Sequence, residues 1–529
     1  MNDVSALPEE TFRTLGDVVR THGANRPDAV MSKFEGRTTT YGSFDKYTNQ
    51  VAHAFLASGV KKDERIGYLA KNSDEYFEIL FGAAKMGAVT LPIGWRLAPA
   101  EIAHILNDGE VSILFVGPEF GDLAAGAIKE CGRAIRVIEI ESSSPEGFAA
   151  WRDAQGTGDP AVAIDPSDTA LQLYTSGTTG RPKGVMLTNS NLLALWGSVG
   201  SAGLEWNTWS DDDVSLVAMP VAHIGGTGWG IVGILNGITL VILREFDPST
   251  VLSLMEPERI SKLFLVPAAL NFLIQMPGAR DIDYSSLKLI FYGASPIPVD
   301  LLRQCMDVFS CGFCQQYGMT ETCGTIVYLP PEDHDPEGNR RMRSAGLPMP
   351  GVELSIIDRE GNALPAEEVG EVAVRSPSVM RGYWKNEKAT GETIGGDGWL
   401  LTGDAGYLDA DGYLYIHDRV KDMIISGAEN IYPAEVESAM YGHPDIADVA
   451  IIGVPDERWG EAVKAVVVLK PGTDTSSESI LDFTRTRIAA FKVPKSVDFV
   501  KELPRNASGK VLKRNLREPY WEGRDRAVN

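Results

Sequence analysis

The sequence predicts an α/β protein: a large N-terminal domain of parallel-rich α/β sheets with a small β subdomain, then a small α+β C-terminal domain. Three observations predict it. Short apolar runs alternate with helix-length segments over residues 169–315, the pattern of right-handed crossovers and a largely parallel sheet. Residues 352–375 alternate apolar and polar around Asp358-Arg-Glu-Gly361, which reads as antiparallel strands. A turn-rich stretch at 395–412 leads through Tyr413–His417 to the polar Asp418–Asp422, where a domain boundary fits.

The strands expected in order are 169–173, Asp213–Met219, Ile238–Leu243, Lys262–Val266, Leu287–Tyr292 and Phe309–Gln315. Ligands of such sheets bind beyond the carboxyl ends of strands. Three polar blocks stand there: Tyr174–Gly180, Gly293-Ala-Ser295 and Tyr317–Thr322, which should therefore converge. Stretch 395–412 reads as turns, and Tyr413–His417 as a strand. Beyond the boundary, Pro433–Tyr441 and Ser477–Ala490 read as helices, Val449–Val454 and Ala462–Leu469 as strands. The division is 1–418, a connecting 419–422, and 423–529.

With 529 residues the chain exceeds one compact core. Its 44% apolar and 23% charged residues are those of an ordinary globular protein. A formal charge of −23 excludes a nucleic-acid partner, which would be repelled at long range. Five cysteines read as reduced thiols in a cytoplasmic protein. Neither a signal peptide nor an apolar stretch of membrane-spanning length is expected. Cys311-Gly-Phe-Cys314 lacks a second ligand pair for zinc and reads as a buried strand. Gly225-Gly-Thr-Gly-Trp-Gly230 is an incomplete dinucleotide fingerprint and is set aside.

The chemistry begins at Tyr174-Thr-Ser-Gly-Thr-Thr-Gly-Arg-Pro-Lys-Gly-Val185. Its glycines let successive N–H groups face one anion, and Ser176, Thr178 and Thr179 add hydroxyl donors. That suits a nucleotide polyphosphate, although Lys183 before Gly184 is not the order of a Walker A loop.

This loop resembles the phosphate loop of the AMP-forming adenylating superfamily, which includes the acyl-CoA synthetases. Four further blocks follow in the family's order: Tyr317-Gly-Met-Thr-Glu-Thr322, Trp399-Leu-Leu-Thr-Gly-Asp404, Asp418-Arg-Val-Lys-Asp422 and Pro504-Arg-Asn-Ala-Ser-Gly-Lys510. The likeness is to the bacterial fatty-acyl-CoA synthetases of the mycobacterial very-long-chain group. It implies ATP, Mg2+ and coenzyme A, a carboxylic acid substrate, and a mobile C-terminal lid pivoting at Lys421. Lys510 would bridge carboxylate and α-phosphate, where charge and positioning dominate the barrier. Glu321, with Thr178, would hold magnesium. Thr320 would donate to the adenylate phosphate. Thr175, Ser176, Gly177, Thr178, Thr179, Gly180 and Lys183 would face the phosphates. Gly293, Ala294, Ser295, Gln316, Tyr317, Gly318 and Met319 would line the adenine site. Trp399, Asp404 and Arg419 would serve the ribose, and Ser426, Gly427, Ala428 and Glu429 the pantetheine tunnel. Family members usually carry a second glycine where Ala428 stands.

The acid pocket is the open part. Pro220-Val-Ala-His223 matches the family's pocket segment, with His223 near the carboxylate. Ala222, Gly225, Gly226, Ala268, Gly293, Gly318, Cys323 and Gly324 leave room for a long or bulky acid, whereas Trp229 could close it. The reading is an ATP-dependent acid:CoA ligase for a hydrophobic, medium- or long-chain fatty acid. Alternatives are an aryl, short-chain thioether or steroid side-chain acid, or a non-catalytic nucleotide-binding regulator. No acidic residue in 220–230 would pair with an amino-acid ammonium. Arg340, Arg341 and Arg343, amid Asp333, Asp335 and Glu337, predict no stable membrane docking. The chain is expected to act as a monomer or homodimer.

Overall fold

The computed structural model describes residues 12–176, 182–419, 422–426, 429–505 and 511–522. Four sheets organise them. The first has nine strands in the order 347–348, 324–329, 312–319, 289–293, 262–265, 214–217, 239–242, 30–34 and 37–40. It is parallel from 312–319 to 30–34 and antiparallel at its edges. The second has seven, in the order 382–383, 182–188, 169–176, 89–92, 65–69, 113–116 and 136–139. Its strands from 169–176 to 136–139 are parallel. Covered on both faces, such strands read as near-continuous apolar runs: Ile113–Val116 and Leu289–Gly293 are buried throughout, as is Arg65–Leu69 despite its leading arginine.

The helix Asp74–Met86 joins these two sheets, touching strand Val30–Phe34 of one and strands Val89–Pro92 and Thr169–Ser176 of the other. Ser73 caps its start by accepting from the Glu75 N–H, and Gly87, at φ +81°, ends it in the left-handed region. Every residue of the helix is buried. Each large apolar side chain there, such as Phe77 or Leu80, contributes about 1.5–3 kcal/mol of burial.

The third sheet is antiparallel, in the order 353–357, 370–375, 400–408 and 414–419, as the alternation at 352–375 predicts. Its strand Leu400–Leu408 corrects the reading of 395–412 as turns. Gly403, at φ +70°, and the register shift at Ala405/Gly406 make it a bulged strand. A Cβ on Gly406 would lie 2.4 Å from the Tyr415 carbonyl oxygen, so that glycine permits close pairing rather than a turn.

The fourth sheet follows the order 429–431, 424–426, 460–469 and 446–456, with 496–499 added parallel to 460–469. It has its own core around Ile424, Val436, Ile451 and Val467. The helix Pro433–Tyr441 forms as expected, whereas the one begun at Ser477 ends at Arg485, short of Ala490. This is the α/β architecture that the sequence predicts, with a large parallel-rich part and a smaller C-terminal part. Among the described residues no helix is long and apolar enough to cross a membrane. Arg341 pairs with Asp333 at 2.9 Å and Arg340 with Glu367 at 3.3 Å, so those two arginines are already engaged.

Candidate active site

The first and second sheets meet through Glu321. Its strand, Gly312–Met319, runs on past the expected end, so Gln316, Tyr317 and Gly318 lie within it rather than after it. A one-turn 3-10 helix, Thr320–Thr322, then places Glu321 inside the protein. Glu321 Oε1 accepts from the Tyr383 hydroxyl at 2.9 Å and from the Thr175 hydroxyl at 3.5 Å, both borne by the second sheet. Lys183, opposite Thr175 in the hairpin, holds its ammonium 4.8 Å from the Tyr383 ring centre. The phosphate and adenine blocks thus converge from two sheets, not one.

The third sheet supplies a second carboxylate. Asp404 and Arg419 are cross-strand partners, and Arg419 Nε lies 2.8 Å from Asp404 Oδ1. Tyr317 donates its hydroxyl to Asp404 Oδ2 at 2.6 Å, and Arg419 donates to the Thr402 carbonyl at 2.7 Å. Burial, then Asp404, pushes the Tyr317 phenol far above its ordinary range, so it stays a donor. Burial opposes the Arg419 charge, but Asp404, Tyr317 and Glu321 outweigh it and raise its pKa.

Close backbone approach fixes this geometry. A Cβ on Gly318 would sit 1.7 Å from the Gly324 carbonyl oxygen, and one on Gly293 would sit 2.0 Å from that of Gln316. Ala294 at φ +66° and Cys323 at φ +57° hold left-handed conformations that cost non-glycine residues energy and gather at functional clefts.

Beside these residues opens a cavity of about 630 Å³. Ala294, Gln316, Gly318, Thr322, Cys323 and Gly324 line its inner end. Trp206, Trp209, Trp229, Phe264 and Phe291 form an aromatic wall, with Trp229 and Phe291 ring centres 5.0 Å apart. Gly225 lies on the lining, and a Cβ there would meet the Phe264 ring at 3.1 Å.

A family model for the AMP-binding enzyme matches residues 19–384, and one for the AMP-binding enzyme C-terminal domain matches residues 435–510. The chain belongs to the AMP-binding enzyme family. It is 40% identical over 532 residues to the fatty acid–[acyl-carrier-protein] ligase ScoC of Streptomyces coeruleorubidus, spanning 99% of both proteins. It is 38% identical over 495 residues to a feruloyl-CoA synthase of Amycolatopsis sp., covering 93% of this chain and 96% of that one. The structure of a Mycobacterium tuberculosis fatty acyl CoA synthetase superposes with a TM-score of 0.75 at 32% identity, covering 96% of this chain and 98% of that chain. These relatives are acid–thiol ligases, and the likeness to the mycobacterial synthetase agrees with the resemblance in the motifs.

Within this AMP-binding enzyme the remaining sequence-predicted residues fall as follows. Gly177, Thr178, Thr179, Gly180, Lys421, Gly427, Ala428 and Lys510 lie outside the described residues, and Ser176 and Glu429 are described by backbone alone. Trp399 carries the Arg375 guanidinium 4.9 Å from its ring centre. His223 stands at the N-cap position of the helix Ile224–Leu235 without a side-chain capping bond; its Nε2 is buried with no protein partner, and burial, then Arg96, pushes its pKa down to about 4. His223, Ala222, Ala268 and Gly293 are not on the cavity lining. Gly226 is corrected from a pocket residue to a packing one: its Cβ would strike the Pro220 carbonyl oxygen at 2.3 Å.

Sequence reasoning missed Tyr383, Thr402 and Asn72. Asn72 accepts from the Val221 N–H at 2.9 Å and donates to the Met219 carbonyl at 3.1 Å, fixing the segment before His223. Tyr383 and Asn72 stand in no chemical motif, whereas Thr402 lies inside the Trp399–Asp404 block without having been singled out there. The tryptophans of Glu205-Trp-Asn-Thr-Trp209 were the available signal for the cavity wall.

Proposed function

We propose that this protein is an ATP-dependent, AMP-forming acid:CoA ligase that activates a hydrophobic carboxylic acid, a medium- or long-chain fatty acid in the first reading. The observation that carries it is the placement of two buried carboxylates, each contacted from a different sheet: Glu321 precedes Thr322 and Asp404 bonds Tyr317, between Gln316 and Gly318, and those neighbours line one largely apolar cavity. Asp404 and Arg419 would take the ribose, and Tyr317 the adenine face. Glu321 suits a magnesium ion: the Tyr383 and Thr175 contacts both fall on Oε1, and one carboxylate completed by phosphate oxygens is the usual magnesium set. The ion would supply charge neutralisation at the phosphates. Thr175, Lys183 and the glycine-rich loop would hold those phosphates, and Lys510 would steady the acid carboxylate as its oxygen attacks the α-phosphorus and pyrophosphate leaves. A thiolate then attacks the acyl carbonyl and AMP departs, with residues 419–422 as hinge and 426–429 beside the pantetheine.

The five aromatic rings favour a second reading, a ring-bearing acid, since offset and edge-on ring contacts add about 0.5–1.5 kcal/mol per pair beyond burial. Acid-dependent exchange of labelled pyrophosphate into ATP across decanoic, cinnamic and acetic acids tests the reading. Exchange with decanoate or cinnamate but not acetate supports it, and exchange with no acid overturns it. A second stage offering CoA or an acyl-carrier protein decides the acceptor, because ScoC is named for the latter.

A further inference from the structure

A buried lysine stands behind the aromatic wall. Strand Lys262–Leu265 is buried along its length, yet it opens with a charge. Lys262 Nζ lies 3.9 Å from the Trp209 ring centre, donates to the Thr208 carbonyl, and sits 3.4 Å from Asp213 Oδ2. Its side chain is 4% exposed and that of Asp213 1%. Asp213 is itself held: Oδ1 accepts from Lys288 at 2.7 Å and Ser261 at 2.8 Å, and Oδ2 from the Ser210 N–H at 3.0 Å. Segment 208–213 is thereby tied at both ends to the first sheet. Trp209 in turn lies almost parallel to Phe291, 2° between planes at 6.5 Å, and 5.9 Å from Trp229.

A pair of charges taken out of water is a poor source of stability, since desolvation offsets most of the attraction. What it fixes is geometry: an ammonium over an indole face and under a carbonyl defines where that ring stands. Burial pulls the Lys262 pKa down to about 8, with Asp213 opposing that fall.

We propose that Lys262 is a positioning residue that holds Trp209 in the wall of the acid cavity and so sets which acids bind, without touching the substrate. The inference rests on reading that cavity as the acid site. Lys262 acts through Trp209 and Thr208, both on the lining, and lies behind them. Its loss therefore weakens the acid and leaves the nucleotide site alone.

The test measures KM for cinnamate, decanoate and ATP by pyrophosphate exchange in wild type, Lys262→Met and Lys262→Arg. The methionine variant is expected to raise KM for cinnamate about tenfold or more, with kcat and the ATP KM within about threefold, because the acid binding lost is common to the ground and transition states. The arginine variant, which keeps a cation over the indole, should recover most of that loss. An acid KM within about twofold of wild type overturns the proposal, as does an ATP KM that rises in step with the acid KM. Should Lys262→Met fail to fold, Trp209→Leu keeps the ion pair and must reproduce the acid effect; an unchanged acid KM there overturns it too. A wild type inactive with every acid defeats the ligase reading instead. Tryptophan-fluorescence titration with the same two acids then decides the Lys262 proposal, which demands a comparable loss of affinity in the variant.

Discussion

Tyr317 and Asp404 belong to different sheets and share a 2.6 Å hydrogen bond, which locks the first sheet to the third at the proposed nucleotide site. Arg419 completes the arrangement from the neighbouring strand, 2.8 Å from the other carboxylate oxygen. Removing the carboxylate strands two donors. Asp404→Ala is expected to weaken ATP binding by roughly 1–3 kcal/mol. Tyr317→Phe, which leaves the arginine pair intact, should cost about 0.5–1.5 kcal/mol. Equilibrium ATP binding by calorimetry checks both, and equal losses would contradict the division between Tyr317 and Arg419.

Tyr383 is predicted to matter for the chemical step although it stands outside every motif block. Its hydroxyl and that of Thr175 meet the same oxygen of Glu321. A hydrogen bond to a charged group contributes about 1.5–3 kcal/mol, so Tyr383→Phe should slow acyl-adenylate formation by about ten- to a hundredfold. Single-turnover adenylation in a quench-flow instrument reads this directly. A rate equal to wild type would remove Tyr383 from the site.

Two glycines near the cavity should respond in opposite ways to the same substitution. At Gly318 the added methyl would lie 1.7 Å from a backbone oxygen, which cannot move aside. Gly318→Ala is expected to destabilise the protein by roughly 3 kcal/mol or more. At Gly225 the nearest atom is a Phe264 ring carbon at 3.1 Å, on a side chain that can give. Gly225→Ala should change stability by less than about 1 kcal/mol and raise the acid KM. Thermal melts and acid kinetics on the pair separate packing from pocket shape.

His223 gives a prediction in pH. Its folded pKa of about 4 lies below the ordinary value of 6.5. The unfolded chain therefore takes up this proton first, and acidification from pH 6.5 towards 4 draws the equilibrium to the unfolded state. By pH 5 the cost is about 2 kcal/mol, absent above pH 7. His223→Gln should flatten that part of the stability profile, measured by urea denaturation at pH 7 and pH 5. An identical pH slope in variant and wild type would contradict a neutral, buried imidazole.

Much of this was legible in the sequence because it is local. Within the runs 262–266 and 287–292, the unbroken apolar stretches 263–266 and 289–292 declare buried strands, and Pro433 marks the first turn of the helix Pro433–Tyr441. Glycine-rich 395–412 misled, since a glycine that admits a neighbouring strand looks like one that makes a turn. Gly225 and Gly226 are adjacent and indistinguishable in sequence, yet one lines the cavity and the other backs onto Pro220. Tyr383 was hidden because its partner is 62 residues away. Lys262 was hidden because a lysine is normally taken for a surface charge.

The central claim is that the acid oxygen attacks the α-phosphorus, and the fate of that oxygen tests it most directly. The measurement is mass spectrometry of the nucleotide product after turnover with ATP, coenzyme A and decanoic or cinnamic acid labelled with oxygen-18 in the carboxylate. Bond-making at phosphorus followed by cleavage of the acyl C–O bond leaves one labelled oxygen in AMP. Label in AMP at one atom per thioester formed is the predicted result. Turnover that yields ADP, or AMP free of label, would contradict the account.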